Sequence, residues 1–145
     1  MTRIPALSFV ACAAALLTAC AASGPSTRGA GAKTDAALAA VLAGPQRSAE
    51  QKDRDGERHP GASLAFWGLK PGASILEVSP GAGWWTQILA PYAARTGGRY
   101  AATAADLTNP ATSAAARQGR EAFAKSFSDT AVYGRVDLRS EEHTS

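Results

Sequence analysis

The sequence predicts an α/β fold with a parallel sheet, and three features between residues 69 and 138 indicate it. An apolar strand pattern from Ser74 to Val78 ends at a Gly-rich loop, and an amphipathic helix pattern begins directly after that loop. A second, weaker strand pattern, "RYAATAAD", then follows a Gly-Gly stop. Strand, loop, helix and strand together occupy about thirty residues, which is the size of one βαβ unit with parallel strands.

Each element of this unit has its own signal. Lys70-Pro71-Gly72 predicts a turn ahead of the first strand. Pro91 is expected to kink or shorten the helix predicted from Trp84 to Arg95, because proline removes one backbone hydrogen bond. Gly97-Gly98 ends this helix. Its apolar residues lie near helical spacing: Trp85, Ile88, Leu89 and Tyr92.

The alternation of strand and helix continues after the Gly-Gly stop. The second strand is predicted to end at Asp106, and a helix is predicted from Thr112 or Ser113 to Phe127. The stretch "AVYGRVDL" then predicts a third strand. We therefore expect residues 69–138 to form part of an α/β domain.

The amino terminus predicts export and a lipid anchor. A positive start, Met1-Thr2-Arg3, precedes an apolar stretch from Ile4 to Leu17 that is too short for a stable membrane span. Residues 1–19 are therefore predicted to be a signal peptide. The sequence "LTAC" resembles the bacterial lipobox, which implies that Cys20 becomes the first mature residue and is lipidated. The alternative is an ordinary signal cleaved nearby, with Cys20 incidental.

The lipobox resemblance also implies a location. Residues 20–33 are small, polar and Gly-rich, which predicts a flexible lipidated tether. We expect the protein on the periplasmic face of a bacterial membrane, and Ala21 resembles the residue that favours outer-membrane sorting in enteric bacteria. Cys12, the only other cysteine, lies in the signal, so no disulfide, thiolate metal site or cysteine nucleophile is expected in the mature chain.

The charge balance gives no support for a nucleic-acid partner. The chain has 15 Lys and Arg residues against 12 Asp and Glu residues, and no basic run is interleaved with aromatic residues. No metal site is predicted.

Residues 34–68 predict a helical extension ahead of the α/β domain. Thr34-Asp35 is expected to cap a short helix that Gly44-Pro45 stops, with Leu38, Val41 and Leu42 on one face. The charged stretch "QRSAEQKDRDGERHP" predicts a solvated helix, although the cluster of charges from Asp53 to His59 leaves a functional interpretation open. "ASLAFWGL" then predicts a short apolar helix containing Leu64, Phe66, Trp67 and Leu69.

The loop after the first strand predicts a ligand site, because ligands of βαβ units bind beyond the carboxyl ends of the strands. We expect Gly81 and Gly83 either to let a ligand approach the backbone or to adopt a positive φ. A dinucleotide site is disfavoured, since Thr86 occupies the position of the third glycine of its fingerprint. A P-loop is excluded, since no Gly-Lys-Ser/Thr follows.

The residues from Glu77 to Gly83, "EVSPGAG", resemble motif I of class I S-adenosylmethionine-dependent methyltransferases, in which an acid precedes three alternating glycines. The resemblance implies a Rossmann-like doubly wound parallel sheet, of which this chain holds the amino-terminal part. It also implies that Asp106 binds the ribose of the cofactor, unless the acid's usual position is Ala104. The implied S-adenosylmethionine site comprises Glu77, Ser79, Pro80, Gly81, Ala82, Gly83, Trp84 and Asp106, with Ser79 in place of the first glycine.

A longer stretch, from Arg47 to Leu138, is similar to a group of exported bacterial proteins described as predicted methyltransferases. The shared hallmarks are R-D-x-x-R-x-P, here residues 54–60, and P-G-x-G-W-(Y/W)-T, here residues 80–86. This similarity implies that the segment from Asp53 to His59 lies over the mouth of the cofactor or substrate site.

The two tryptophans after the loop are expected to differ in burial. Trp85 lies on the same helical face as Ile88 and Leu89, so we expect it in the core. Trp84 is expected to be the exposed ring, available to the cofactor's sulfonium through a cation-π contact.

The last residues, Arg139 to Ser145, read "RSEEHTS" and resemble the translation of a common sequencing adapter. We expect them to be an artefact, with the natural chain continuing past Leu138, and we expect the truncated chain to be inactive. Three functions remain open from the sequence: a membrane-anchored methyltransferase with an unidentified methyl acceptor, a non-enzymatic envelope lipoprotein with the same fold, and another adenosine or small-metabolite binder.

Overall fold

The computed structural model describes residues 35–140, which form a mixed α/β fold around a three-stranded parallel sheet. The signal peptide, Cys20 and most of the predicted tail lie outside these residues. The described elements, in chain order, are α1 (Ala36–Ala43), α2 (Ala49–Asp53), α3 (Asp55–Arg58), α4 (Pro60–Phe66), β1 (Ser74–Glu77), α5 (Thr86–Thr96), β2 (Arg99–Ala104), α6 (Ala114–Ser126), α7 (Thr130–Tyr133) and β3 (Val136–Ser140).

The sheet has the order β1-β2-β3, and both pairings are parallel. Tyr100 lies opposite Ile75 on one side and opposite Val136 on the other. These three residues face the hydrophobic core that α5 and α6 share. The parallel sheet and the βαβ unit predicted from the sequence are therefore confirmed.

The other face of β1 is open among the described residues. Leu76 is 58% exposed and Val78, directly after the strand, is 68% exposed. Because successive side chains of a strand point to opposite faces, β1 is covered on the side of α5 and exposed to water on the other.

Helix α1 packs against α5, as part of an extension built from α1 to α4. Asp35 Oδ1 accepts a hydrogen bond from the N–H of Leu38 at 2.9 Å, which is the predicted amino-terminal cap. The second carboxylate oxygen of Asp35 accepts a 2.8 Å bond from the hydroxyl of Tyr92 in α5. Leu38 and Val41 are buried in the same core as Ile88.

Pro91 does not shorten α5, so the shortening predicted as one of its two effects is wrong. The helix continues to Thr96, and Pro91 is fully buried within it. Proline has no N–H to donate to the carbonyl four residues earlier, which belongs to Gln87. The side-chain amide of Gln46 approaches that carbonyl at 3.4 Å and also donates to the Val41 carbonyl at 2.9 Å. The extension therefore supplies a donor that the helix lacks.

Two strand boundaries differ from the sequence prediction. Strand β2 ends at Ala104, so Asp106 lies beyond the strand rather than at its end. The first half of "AVYGRVDL" forms α7, because Asp129 caps a helical turn by accepting from the N–H of Ala131 at 3.0 Å. Strand β3 then continues past Leu138, and its residue Ser140 pairs with Ala104.

The remaining helices follow the predicted limits closely, with two exceptions in the extension. Helix α6 is capped by Ser113, as predicted, and ends at Ser126, one residue before the predicted limit at Phe127. The charged stretch is not one solvated helix: α2 and α3 divide it, and Arg47 within it is buried. Helix α4 buries Pro60 and Leu64. Its last residue, Phe66, and its carboxyl-terminal cap, Trp67, are exposed.

No helix within residues 35–140 is long and apolar enough to cross a membrane.

Candidate functional site

The loop between β1 and α5 adopts left-handed backbone conformations at three of its residues. The φ angles are 52° at Ser79, 56° at Gly81 and 80° at Gly83. The N–H of Gly83 donates to the carbonyl of Pro80 at 2.9 Å, which closes a tight turn. The positive φ predicted for the two glycines is confirmed, and the loop delivers the chain directly to the amino end of α5.

The two glycines face different surroundings. A Cβ at Gly83 would collide with the ring of Phe127, so this position is closed by the core. A Cβ at Gly81 would meet nothing within 4 Å, and Gly81 and Ala82 are both exposed. The middle of the loop is therefore accessible from outside, while its carboxyl end is packed.

Ser79 is a non-glycine residue in the left-handed region, where a Cβ crowds the backbone at a cost of about 1 kcal/mol or more. Its N–H donates to the hydroxyl oxygen of Thr103 at 2.8 Å. Thr103 lies near the carboxyl end of β2, so this bond places the loop beside the end of the second strand.

Glu77, the last residue of β1, points into the α5 side of the sheet. Its Oε2 accepts hydrogen bonds from the hydroxyl of Tyr100 at 2.6 Å and from the hydroxyl of Thr86 at 2.9 Å. Burial raises the pKa of Glu77, and the two hydroxyl donors oppose that rise by stabilising the charged form. Burial and the neighbouring Glu77 carboxyl raise the pKa of Tyr100, so its hydroxyl remains a donor.

Asp106 lies in a turn two residues beyond β2. Its Oδ1 accepts from the N–H and the hydroxyl of Thr108, both at 2.8 Å, and its carbonyl accepts from the hydroxyl of Thr112 at 2.5 Å. Arg117 of α6 donates to three carbonyls of the same turn, those of Leu107, Asn109 and Thr112. Asp106 is therefore held by an ordered turn at the same edge of the sheet as the Gly-rich loop.

The exposure predicted for Trp84 is wrong, whereas Trp85 packs against the core as predicted. Trp84 is only 8% exposed, whereas Trp85 is partly exposed. The indole N–H of Trp84 donates to the Gln51 carbonyl at 3.1 Å, so its ring faces the extension. Trp85 contacts Trp84 edge to face, with ring centroids 4.8 Å apart, and lies 5.3 Å from the Trp67 ring.

Two guanidinium groups lie near the Trp84 indole, and a carboxylate binds one of them. We call these four side chains the Trp84 cluster: Arg47, Asp55, Arg58 and Trp84. The side chain of Arg47 is completely buried and binds both carboxylate oxygens of Asp55, at 2.5 and 2.9 Å. The guanidinium carbon of Arg47 lies 5.4 Å from the centroid of the Trp84 ring, and that of Arg58 lies 4.8 Å from it.

The sequence does not predict Arg47 as a site residue, because its position at the start of a charged stretch favours exposure. Its guanidinium is buried between Asp55, the Leu42 and Gln51 carbonyls and the ring of Trp84. Asp55 and Arg58 belong to the R-D-x-x-R-x-P hallmark, and Trp84 belongs to the second hallmark. The structure thus brings the two hallmarks into contact beside the loop.

No group of three or more His, Cys, Asp or Glu side chains suited to a metal ion occurs among residues 35–140. Comparisons of the chain with known protein families, with curated proteins and with solved structures found no match.

Proposed function

We propose that the protein is an S-adenosylmethionine-dependent methyltransferase. The observation that supports this most is the conformation of the loop after β1, with left-handed residues at Ser79, Gly81 and Gly83 leading into α5. Such a loop presents backbone groups and a helix amino terminus to a ligand. The open space outside Gly81 leaves room for that ligand.

The finer fold that we propose is a Rossmann-like doubly wound sheet. Its support is the consecutive parallel order β1-β2-β3, with residues of both crossover helices in one core. That arrangement corresponds to half of a doubly wound sheet, whose ligand lies beyond the carboxyl ends of the strands. Ser79 and Asp106 both follow strands at that edge.

In this proposal the residues position the cofactor rather than react with it. Both hydrogen bonds to Glu77 are made to Oε2, which leaves Oε1 without a donor among the described residues and available to the methionine end of the cofactor. Residues 79–83 would lie against the cofactor, and Asp106 would bind the ribose. Methyl transfer from a sulfonium is an in-line displacement, so correct placement of donor and acceptor supplies much of the rate.

The proposed location is the periplasmic face of a bacterial membrane, with acylated Cys20 as the anchor. Each buried methylene of an acyl chain contributes about 0.8 kcal/mol to membrane binding, so several chains on one residue hold a protein firmly. The methyl acceptor is not identified by any described residue.

Titration of the full-length protein with S-adenosylmethionine tests the proposed activity. We expect saturable binding by the parent and at least about tenfold weaker binding, which is about 1.4 kcal/mol, by two variants. Gly81→Val fills the open space beside the loop, and Glu77→Ala removes the carboxylate proposed to contact the cofactor. Gly97→Val is the matched control for Gly81→Val, since Gly97 also has a positive φ and open space around its Cα, but lies at the other end of α5. Absence of binding by the folded parent would reject the proposal.

One observation favours a second candidate, a non-enzymatic envelope protein that retains the fold. Glu77 accepts two hydrogen bonds within the sheet and helix, so the acid has a structural role that requires no ligand. Under this alternative, Glu77→Ala lowers the stability of the protein while S-adenosylmethionine leaves the thermal midpoint of the parent unchanged. Under the methyltransferase proposal, the cofactor raises that midpoint.

A further inference from the structure

The charged segment of the extension and the Gly-rich loop meet at a single indole. Trp84 follows Gly83 directly, so the position of its side chain determines where the loop ends. The indole N–H is bonded to the Gln51 carbonyl, and Arg47 Nη2 donates to the same carbonyl at 3.1 Å. Trp84 and Arg47 therefore share one acceptor, the Gln51 carbonyl, and the bond from Trp84 connects the extension to the carboxyl end of the loop.

Burial of the Arg47 guanidinium in the Trp84 cluster carries a desolvation penalty, which argues for a specific role. Arg47 also donates to the Leu42 carbonyl at 3.0 Å, so its guanidinium links the end of α1, the end of α2 and Asp55. Its Nε is buried and has no hydrogen-bond partner among the described residues. Replacing a buried ion pair by apolar residues of similar volume is often neutral or stabilising, so the pair of buried Arg47 with Asp55 is weak evidence for a purely stabilising role.

Arg58 lies on the accessible side of the cluster. It is partly exposed, and its guanidinium lies 4.8 Å from the Trp84 centroid with no carboxylate within ion-pair distance among residues 35–140. Its described contact is therefore the cation-π contact with the indole. The neighbouring Arg54 is exposed and makes no such contact, so the two arginines of the hallmark have different surroundings.

The loop is held at its start and its end, but not in its middle. Thr103 holds the N–H of Ser79, and Phe127 packs against Gly83. The Trp84 cluster holds the next residue, while Gly81 and Ala82 are exposed. Loss of the contact at Trp84 would leave the exposed part of the loop anchored at fewer points.

We infer that Arg47 and Arg58 are positioning residues, which act through Trp84 to keep residues 79–84 in the conformation that receives the ligand. This inference rests on the proposed function for the identity of the ligand, S-adenosylmethionine. It does not rest on that function for the effect on the loop itself. The extension is, on this view, a working part of the ligand site rather than a spacer between anchor and domain.

Amide hydrogen exchange of the full chain without ligand tests the effect on the loop. Arg58→Gln is expected to increase exchange in residues 79–85 about fivefold, which corresponds to the loss of a cation-π contact of about 1 kcal/mol. Arg58→Lys keeps the positive charge over the ring and is expected to restore exchange to within about twofold of the parent. Arg54→Gln, which removes a charge from the same segment, is the matched control and is expected to leave the loop unchanged.

The pattern of exchange decides the inference. Faster exchange confined to residues 79–85 supports it, and so does rescue by lysine. Unchanged exchange in the loop overturns it, as does an equal increase across α5 and β2, because that result would indicate general destabilisation. Arg47→Met is expected to have a larger effect on the same residues, and Asp55→Asn, which keeps one acceptor for Arg47, an intermediate one.

A parallel titration with S-adenosylmethionine separates this inference from the proposed function. If the parent binds, Arg58→Gln is expected to weaken binding about fivefold and Arg58→Lys to restore it. Equal binding by Arg58→Gln and the parent would overturn the link between the cluster and the ligand. If the folded parent does not bind, the proposed function fails, and the exchange data alone decide whether the cluster positions the loop.

Discussion

The hydroxyl of Tyr100, on β2, donates a 2.6 Å hydrogen bond to Glu77, the last residue of β1. The same hydroxyl lies 3.0 Å from the hydroxyl oxygen of Thr86, the first residue of α5. One phenol therefore connects two strands and a helix at the point where the Gly-rich loop leaves the sheet. The acid of the loop motif is set in place by residues that lie outside the motif.

Tyr100→Phe is expected to destabilise the protein by about 1 to 3 kcal/mol at neutral pH, because a buried carboxyl loses a donor. The hydroxyl of Tyr100 lowers the pKa of Glu77, so its removal raises that pKa further. A raised folded pKa means that stability is retained below the unfolded value and lost as pH rises through the folded value.

Urea unfolding of Tyr100→Phe at two pH values checks this sign. The difference in unfolding free energy between parent and variant should be larger at pH 7 than at pH 4. Tyr133→Phe is the matched control, since the Tyr133 hydroxyl has no hydrogen bond among the described residues. A difference that is larger at pH 4 would contradict the proposed arrangement around Glu77.

Tyr92 is expected to make the protein sensitive to alkali. Burial and the bond to Asp35 raise its pKa to about 12 from a usual value of 10.0. The folded state therefore holds this proton more tightly than the unfolded state, and stability falls as pH rises from 10 towards 12.

The slope of unfolding free energy against pH, measured above pH 10, tests this expectation. Tyr92→Phe should lower stability at neutral pH and show a shallower decline in alkali. Asp35→Asn should lower the pKa of Tyr92, because it removes the negative charge but keeps an acceptor. An unchanged slope in Tyr92→Phe would assign the alkaline loss to other tyrosines.

Ser79→Gly is expected to stabilise the protein by up to about 1 kcal/mol, because glycine adopts a positive φ without the crowding of a Cβ. The measurement is the urea midpoint of parent and variant. Ala82→Gly is the control within the same loop and is expected to be destabilising, since Ala82 does not have a positive φ. If Ser79→Gly destabilised as much as Ala82→Gly, the hydroxyl of Ser79 would have a role that its backbone conformation does not explain.

Gly83→Ala is expected to cost about 1 to 3 kcal/mol, because the added methyl group collides with the Phe127 ring. Phe127→Leu in the same chain should restore part of that loss by making room. The measurement is a double-mutant cycle on unfolding free energy, in which neighbouring residues show a non-additive term. Strict additivity of the two changes would show that Phe127 does not limit the space at this glycine.

The regular part of the fold could be predicted from local sequence, because its signals are local. Ser113 caps α6, Gly97 ends α5 and Ile88 faces the core, and each follows from spacing or from a single residue's preference. The positive φ of Gly81 and Gly83 follows in the same way.

The surroundings of the loop could not be predicted, because they depend on contacts between distant residues. The sequence predicts that Trp84 is exposed, yet Gln51, 33 residues earlier, provides an acceptor for its indole N–H, and Trp84 is buried. Arg47 is buried by nearby partners, Asp55 and two carbonyls, together with the distant ring of Trp84, and only this last contact connects it to the loop. The left-handed φ of Ser79 could not be predicted either, because serine has no preference for that conformation.

Gln46 and Pro91 illustrate what such distant contacts impose on the chain. The proline leaves a carbonyl of α5 without its usual donor, and the glutamine amide approaches that carbonyl from the extension. Proline without the amide leaves the Gln87 carbonyl unpaired, whereas glutamine without the proline would still donate to the Val41 carbonyl. We therefore expect the proline to depend on the glutamine more than the glutamine depends on the proline, so that substitution of Gln46 removes a donor that only a helix containing Pro91 requires.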